Sequence, residues 1–453
     1  MATTYLTRTA SGTDGSNSQR KNTISMWLKR SSLSDACFIE GQGDDANATQ
    51  VYFDSNTKLT VNHVSGNSSL NFQIVTNRVF RDTSAWYHFV ITIDTTLGTA
   101  ADRVKIYVNG VRETSFSSAS YPGQNATTQL LARLNLNIIG RRKSGGVGLY
   151  FDGSMSHVHV TDGTVYQAST FGSTDSTTGE WKINTSPSVT YGNNGFFILK
   201  DGNTITDSST NSNNFSLSGG TLTNTKDCPD NVMATLNPLD GVISLGNSTF
   251  TYGNTRWNSE TASNYCWTRS TLGMTSGKYY FEAKIETAAE HMYIGISDRA
   301  SPSTSTFFGT GAYDYAYKSS SGAKKNSGNE SSYGNTWTAN NIVMCAVDLD
   351  NLKIYFGKDG TWQNSGNPAS GSTGTGAAFT ITTPSSTTSG DYFFCLADGA
   401  SGGSNVRWNS NFGNGYFGTT AVSSAGTNAS GNGIFEYDVP SGYTALSTKG
   451  LNL

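Results

Sequence analysis

Two stretches of this chain share one pattern, and that pattern restricts how they can fold. The first, "DRVKIYVNG", covers residues 102–110, and the second, "NLKIYFGKDG", covers residues 351–360. In both, apolar and polar residues alternate around Lys-Ile-Tyr, and the run ends at a glycine turn. A period of two places successive side chains on opposite faces of a β-strand, and Asn-Gly at 109–110 is a strong hairpin signal. Both stretches therefore predict the second arm of an antiparallel hairpin.

The same alternation recurs in both halves of the chain. "WYHFVITID" at residues 86–94 and "YYFEAKIE" at residues 279–286 each present one regular apolar face. Turn-forming residues separate these runs, and no segment of useful length has a helical period. The sequence thus predicts an all-β protein of antiparallel sandwiches, with one face of each sheet turned inward.

Composition along the chain predicts three regions. A first sandwich covers residues 1–165, and an irregular connector covers residues 166–246, where turn-rich stretches such as "STDSTTGE" surround single apolar clusters. The alternative for this middle region is an extension of the first sandwich's sheet. A second sandwich covers residues 247–453. The tripeptide "RWN" occurs near both of its ends, at 256–258 and 407–409, and we expect these two strands to pair and close the sandwich.

Charge and cysteine usage exclude several classes of protein. The formal net charge is −3 and charged residues make up 14% of the chain, against about 25% in typical domains. No basic run is present, so nucleic-acid binding is not expected. No apolar stretch reaches the length of a membrane span, and the first ten residues lack the apolar core of a secretory signal. The five cysteines form no Cys-x-x-Cys motif, so we expect five free thiols.

Several segments carry a family resemblance. In the first half, "WYHFVITIDTT", "DRVKIYVNG" and "FDGSMSHVHVTDG" resemble the laminin-G-like, concanavalin A-like lectin superfamily. In the second half, "SGKYYFEAKIE", "YIGISD" and "VDLDNLKIYFGKDG" resemble SPRY domains. The resemblance implies two concanavalin A-like antiparallel β-sandwiches of jelly-roll type, joined by the irregular connector. Trp86, in the first signature, is expected to be buried as a core anchor.

Some concanavalin A-like proteins are glycosidases, so paired carboxylates were sought. Those enzymes carry Glu-x-Asp-x-(x)-Glu on one strand, and no glutamate of this chain begins that pattern. Glu282 and Glu286 share a strand face but lie about 13 Å apart at ~3.3 Å per residue, beyond the roughly 5–9.5 Å of a glycosidase pair. We read both as part of a solvated sheet face. The sequence predicts that the protein is not an enzyme.

Two patterns have the spacing of metal ligands. His157 and His159 lie two apart on one strand, which we read as a half-exposed pair without a third ligand. Gly43–Asp45, "GDD", has the oxygen donors that a Ca²⁺ site at a sandwich rim uses, but no partner ligands are identifiable. No metal and no cofactor are predicted.

Binding to saccharides is the better prospect, since aromatic rings flanked by amides and carboxylates suit the apolar faces and hydroxyl edges of sugars. In the second half, residues 307–322 and 331–341 are rich in aromatic and Asn or Asp side chains. The alternative is that the alternating tyrosines form one face of a core strand. Trp362 follows a glycine turn and precedes a polar loop, as an exposed contact residue would. The candidate binding residues are Tyr313, Tyr315, Tyr317, Tyr333, Trp337 and Trp362.

A third resemblance concerns the context of the protein. "STFGSTDSTTGEW", "CPDNVMATLNPL" and "VPSGYTALSTKGLN" look like segments of virion structural proteins of tailed bacteriophages, marine ones especially. It implies a multicopy or homo-oligomeric protein that is assembled in the host cytoplasm, contacts other virion proteins of capsid or tail, and is exposed on the particle surface.

Three hypotheses follow from the resemblances. The first is a non-enzymatic virion surface protein whose lectin-like modules serve adhesion to host-surface glycans, capsid decoration or a tail fibre. The second is a purely structural protein that binds only other virion proteins. The third is a polysaccharide-cleaving enzyme.

Overall fold

The structure is a computed structural model that describes residues 3–66, 69–146, 148–200, 202–242, 248–259, 266–298, 308–399 and 405–452. It is nearly all-β and divides into two compact units, Met1–Asn224 and Thr225–Leu453. None of the helical segments described is long and apolar enough to cross a membrane. These segments are short 3₁₀ turns at Ala100–Asp102, Ser144–Gly146, Ala168–Thr170, Gln363–Ser365, Pro368–Thr373, Pro384–Ser386 and Gly450–Asn452.

The first unit is built from strands that run from Tyr5 to Gly219. They are β1 (Tyr5–Thr9), β2 (Lys21–Arg30), β3 (Ala36–Asp44), β4 (Asn47–Phe53), β5 (Lys58–Ser65), β6 (Ser69–Val79), β7 (Tyr87–Asp94), β8 (Val104–Val108), β9 (Val111–Arg112), β10 (Phe116–Ser120), β11 (Leu136–Ile139), β12 (Arg141–Arg142), β13 (Leu149–Tyr150), β14 (Gly153–Asp162), β15 (Gly172–Thr174), β16 (Trp181–Ile183), β17 (Phe196–Ile198) and β18 (Ser216–Gly219).

Two antiparallel sheets enclose the core of the first unit. One has the order β10-β6-β5-β4-β3-β11-β1-β18 and the other β17-β14-β2-β7-β8-β9. The predicted alternation is confirmed at the β7–β8 hairpin, where Ile91 lies opposite Ile106 and both side chains are buried in the core. Trp86, just before β7, is 8% exposed, so its predicted burial is also confirmed.

Residues 166–224 lie within the first unit. Strand β17 adds to β14 of the second sheet, and β18 adds to β1 of the first. Before these strands in the chain, residues 166–191 form a covering segment on the outer face of the second sheet, where Ala168 and Phe171 pack against Val90 of β7. The turn-rich composition of this region therefore reflects a third layer with short edge strands.

The second unit is built in the same way. Its strands are β19 (Leu236–Val242), β20 (Thr249–Thr251), β21 (Arg256–Asn258), β22 (Cys266–Ser270), β23 (Lys278–Thr287), β24 (Met292–Ser297), β25 (Tyr315–Lys318), β26 (Ala323–Asn326), β27 (Asn329–Ser332), β28 (Ile342–Asp348), β29 (Lys353–Lys358), β30 (Thr361–Trp362), β31 (Phe379–Thr380), β32 (Phe393–Asp398), β33 (Arg407–Asn411), β34 (Tyr416–Phe417), β35 (Thr420–Ala421) and β36 (Thr444–Ala445).

Two sheets again enclose one core. Their orders are β19-β22-β32-β24-β25-β26-β27 and β20-β21-β33-β23-β28-β29-β30, with β31 on β29 and β36 on β23. The two "RWN" strands, β21 and β33, pair antiparallel with Trp257 opposite Trp408, which confirms the predicted closure. Both indole rings are fully buried.

The outer face of β23 is solvated as predicted only near its end, where Glu286 is exposed. Tyr280 and Glu282 are both fully buried. A second covering segment, residues 433–446, packs Phe435 and Tyr443 over Tyr280 and Tyr355. Period-two alternation identifies the two faces of a strand, but a distant part of the chain decides whether the second face meets water.

The two Lys-Ile-Tyr hairpins occupy equivalent positions in their units. Ile106 and Ile354 point into the sandwich cores, whereas Tyr107 and Tyr355 pack on the outer face beneath the covering segments. The turns after them share one backbone geometry, with positive φ angles at Asn109-Gly110 (47° and 79°) and at Asp359-Gly360 (47° and 81°).

An aromatic ring of the covering segment lies on each turn glycine. A Cβ at Gly110 would come within 2.3 Å of the Trp181 ring, and a Cβ at Gly360 within 2.9 Å of the Tyr437 ring. The pattern shared by the two halves therefore marks the same kind of turn in each unit. In both units a covering segment packs on that turn and on the outer face of the sandwich.

Candidate functional site

Most of the aromatic residues predicted to bind ligand lie in the core of the second unit. The structure brings Tyr315, Tyr317, Tyr333 and Trp337 together, and none of the four is more than 8% exposed. The Tyr317 ring centroid lies 5.8 Å from that of Tyr333 and 5.9 Å from that of Trp337. The alternation at 315 and 317 is therefore that of a core strand, and these rings offer no flat face to a sugar.

The remaining two predicted residues are half-buried and separate from each other. Tyr313 packs against the edge of the same core. Trp362 packs on the other side of the sheet, where its ring meets that of Tyr280 edge-on at 6.2 Å. Phe307, which opens the predicted aromatic stretch, lies outside the described residues. No cluster of exposed aromatic rings is formed by the six candidates.

The histidine pair is buried rather than half-exposed. His157 and His159 are 8% and 2% exposed because the covering segment and β17 lie over them. A β-bulge interrupts the β14–β2 register between Ser156 and His159, and His157 has a φ of 48°. The ring of His159 stacks on Phe197 at 3.8 Å. Packing explains both side chains without a metal.

Asp44 and Asp45, proposed as rim ligands for Ca²⁺, belong to the turn between β3 and β4. Asp44 accepts hydrogen bonds from the Ala46 N–H and from Asn47 Nδ2, and Asp45 accepts one from Gln42 Nε2, all at 2.8–2.9 Å. Within the described part of the chain, no group of three His, Cys, Asp or Glu side chains has the geometry to hold a metal ion.

Two buried glutamates are engaged in structural hydrogen bonds. Glu282 accepts from Tyr280 Oη and from the backbone N–H groups of Glu436 and Tyr437, at 2.8–2.9 Å. Glu40 accepts from the Ser144 N–H and from Gln50 Nε2 at 3.0 and 3.1 Å. Burial raises the pKa of both carboxyls, that of Glu282 to about 7. They lie in different units.

A cavity of about 240 Å³ opens in the first unit, where the ends of β5 and β6 meet the 122–128 loop. Strands β5 and β6 contribute one wall, and the loop contributes the other. Its lining combines an aromatic ring, an imidazole, an amide and threonine hydroxyls: His63, Asn71, Phe72, Thr95, Pro122, Gly123, Ala126, Thr127 and Thr128.

Hydrogen bonds hold the imidazole of the sheet wall in place. His63 Nδ1 lies 3.0 Å from Thr49 Oγ1, which also accepts the Gln129 N–H at 2.9 Å. Burial lowers the pKa of His63 below its usual value. The ring is therefore neutral at neutral pH and has a fixed orientation.

The loop wall is equally well held. Arg103 donates to the Pro122 carbonyl at 2.8 Å, and the Asn125 N–H donates to the Thr95 carbonyl at 2.7 Å. Thr95 Oγ1 donates back to the Ala126 carbonyl at 2.7 Å. A loop tied at both ends and in the middle gives the cavity a preformed wall, which lowers the entropic cost of binding.

Sequence reasoning missed this cavity because its residues come from four separate segments and form no motif. The one available signal was "SYPGQNATT" at residues 120–128, a long polar loop after an edge strand, and such loops commonly carry recognition sites. The positions of His63 and Asn71 at its mouth follow only from the folded β5–β6 hairpin.

Comparison with known families finds one match in each unit. Residues 3–170 match the model of the concanavalin A-like lectin/glucanases superfamily, and residues 278–390 match the model of the SPRY domain. Each Lys-Ile-Tyr hairpin lies inside one of these matches. Comparison with the curated proteins finds no match.

Solved structures show partial likenesses. The SPRY domain of human HERC1 is 14% identical with a TM-score of 0.30, covering 39% of this chain and 96% of that one. A native heptameric SAP-like pentraxin from Limulus polyphemus is 17% identical with a TM-score of 0.27, covering 36% and 71%. Stonustoxin is 12% identical with a TM-score of 0.27, covering 39% and 27%.

Proposed function

We propose that this chain is a non-enzymatic saccharide-binding protein whose first unit holds the sugar in the cavity at the 122–128 loop. The observation that carries the proposal is the composition of that cavity. Phe72 and Pro122 supply apolar surface, and His63, Asn71 and the threonines supply polar groups within one small volume. Saccharides need this combination, since each ring has apolar C–H faces and a polar hydroxyl edge.

The size of the cavity supports one sugar ring as the bound unit. Its volume of about 240 Å³ is below the roughly 300–1,000 Å³ of sites for drug-sized ligands. A contact of this size is weak when it acts alone, and many copies on one surface raise the avidity by a factor of ~10²–10⁴. The proposal therefore includes multivalent display.

A glycan array probed with the multivalent protein tests the proposal. The Ala126→Trp variant fills the cavity from the loop wall, and Ala101→Trp is the matched control at an exposed alanine of the same unit. We expect binding to be lost in Ala126→Trp and kept in Ala101→Trp. A blank array, or equal binding by both variants, contradicts a saccharide site in this cavity.

The setting that we propose is the surface of a bacteriophage particle, with other virion proteins as partners. Its support is the resemblance of "CPDNVMATLNPL" and "VPSGYTALSTKGLN" to segments of phage structural proteins. Mass spectrometry of purified particles, followed by imaging of the labelled protein, tests this setting and distinguishes capsid from tail. Particles that lack the chain would exclude it.

A second candidate function, contact with other virion proteins only, is favoured for the second unit. Four of its candidate aromatic residues are buried, and the other two, Tyr313 and Trp362, are half-buried and separate, so the six form no exposed aromatic platform for sugars. Crosslinking within the assembled particle is expected to link the SPRY domain to neighbouring proteins, whereas glycan binding by Ala126→Trp would place a saccharide site in the second unit instead.

A further inference from the structure

The hydrogen-bond partners of the cavity wall are consistent with one set of donors for a ligand. Thr49 Oγ1 accepts the Gln129 N–H and lies 3.0 Å from His63 Nδ1, to which it can donate its one hydroxyl hydrogen. An imidazole that accepts at Nδ1 carries its hydrogen on Nε2 when it is neutral. With Thr49 as the donor, His63 offers the cavity an N–H group.

Asn71 is assigned in the same way. Its Oδ1 accepts a hydrogen bond from Ser65 Oγ at 2.8 Å, so its Nδ2 hydrogens remain for a ligand. The hydroxyl hydrogens of Thr95 and Thr128 are already donated to the carbonyls of Ala126 and Gln19. The β5–β6 wall thus presents two donors, both of them on neutral side chains.

An apolar surface adjoins these donors, formed by Phe72 and by Pro122 and Ala126 of the loop wall. We infer that the cavity selects N-acylated amino sugars, whose acetamido carbonyl accepts from His63 and Asn71 while its methyl group contacts the apolar surface. This inference rests on the proposed saccharide site and specifies its ligand class.

A carboxylate-bearing sugar is the competing ligand, because it also accepts hydrogen bonds. Burying a charged carboxylate costs far more than burying an amide unless a cation compensates it. None of the side chains that line the cavity is an arginine or a lysine. The neutral acetamido group is therefore favoured over a uronic acid.

Titrations of the full chain with N-acetylglucosamine, glucose, glucosamine and glucuronic acid, followed by ligand-observed NMR, test the inference. We expect N-acetylglucosamine to bind at least tenfold more tightly than each of the other three sugars. Asn71→Ala, at an exposed position of β6, is expected to remove most of this preference. Asn77→Ala, at another exposed asparagine of β6, is expected to leave it unchanged.

The outcomes separate the inference from the function on which it rests. Equal affinities for N-acetylglucosamine and glucose, both lost in Ala126→Trp, would overturn the acyl selectivity and leave the saccharide site standing. Tighter binding of glucuronic acid would overturn it in the same way. If no sugar binds, or if Ala126→Trp binds as well as the unmodified chain, the saccharide site falls together with the inference.

Discussion

Trp181 of the first covering segment donates its indole N–H to Nδ1 of His88 on the sheet beneath, at 2.9 Å. Ser25 Oγ lies 2.9 Å from the other ring nitrogen, Nε2, and Trp27 stacks on the imidazole at 4.7 Å. An indole nitrogen can only donate, so Nδ1 must be unprotonated. A proton at Nδ1 would place two N–H groups against each other and break the contact between layers.

Acid is therefore expected to loosen residues 166–191. Burial and the nearby His157 lower the pKa of His88 to about 3, so the unfolded chain binds the proton more tightly. The stability from neutral His88 is complete above pH 6.5 and is lost as the pH falls towards 3, by about 1.4 kcal/mol per pH unit. Hydrogen exchange of residues 166–191 at pH 7 and pH 5, corrected for intrinsic rates, measures this loss.

Two variants check the assignment to His88. His88→Gln keeps a donor and an acceptor but does not titrate, so it is expected to weaken the pH response of residues 166–191. Burial also lowers the pKa of His159. Protonation of His159 is expected to cause the part of the pH response that remains in His88→Gln. His291→Gln changes a half-exposed histidine of the second unit and should leave the response as it was. An undiminished response in His88→Gln would reject the mechanism.

The second covering segment is expected to respond to pH in the opposite direction. Burial raises the pKa of Glu282 to about 7, although its hydrogen bonds with the Glu436 and Tyr437 N–H groups and Tyr280 act to lower it. A raised carboxyl pKa contributes stability that is complete below about pH 4.5 and is lost as the pH rises through 7, amounting to about 3 kcal/mol.

Hydrogen exchange of residues 433–446 at pH 5 and pH 8 measures this second response. We expect faster opening at pH 8 in the unmodified chain. Glu282→Gln does not titrate, so residues 433–446 of this variant are expected to open at the same rate at pH 5 and pH 8. A difference that persists in Glu282→Gln would assign the response to another group.

The turn glycines provide a test of the third layer that is independent of pH. Gly110 and Gly163 both have φ near 80°, but only at Gly110 would a Cβ meet another side chain, the Trp181 ring. Gly163→Ala is expected to cost about 1–2 kcal/mol from the left-handed backbone alone. Gly110→Ala should cost more and should also increase the exposure of Trp181, measured by denaturant unfolding and indole fluorescence.

The thiols should differ sharply in reactivity. Cys37, Cys266, Cys345 and Cys395 are buried, whereas Cys228 is half-exposed, and all five are free. Burial and the adjacent Asp230 raise the pKa of Cys228 to about 12, so little thiolate forms at neutral pH. We expect a thiol reagent to label Cys228 alone, slowly, in the folded protein and all five after denaturation. Fast labelling of several cysteines would contradict the packing.

Strand patterns predicted the sandwich cores well. Alternation placed Phe89, Ile91 and Ile93 on one inward face, and all three are buried in the core. The repeated "RWN" predicted that β21 and β33 pair, and the structure shows the pair with Trp257 opposite Trp408. These predictions succeed because successive side chains of a pleated strand point to opposite faces of the sheet. The face on which a residue lies therefore depends only on its position in the local sequence.

Predictions of exposure failed both where a third layer covers a sheet and inside the core of the second sandwich. From the same alternation we predicted Glu282 at the surface and Tyr315 and Tyr317 as candidate ligand contacts. All three are buried. The partners that bury Glu282 lie more than 150 residues away in the chain, at Glu436 and Tyr437. No local pattern carries that information.

By itself, the sequence of this protein determined the strands, the tight turns and the inward faces, because backbone geometry and period-two alternation act over a few neighbouring residues. Tertiary structure alone decided which outward faces are covered and where a cavity opens. His63, Asn71 and the 122–128 loop meet only after the sheets have paired, and the free energy of burying or exposing a side chain depends on everything packed around it.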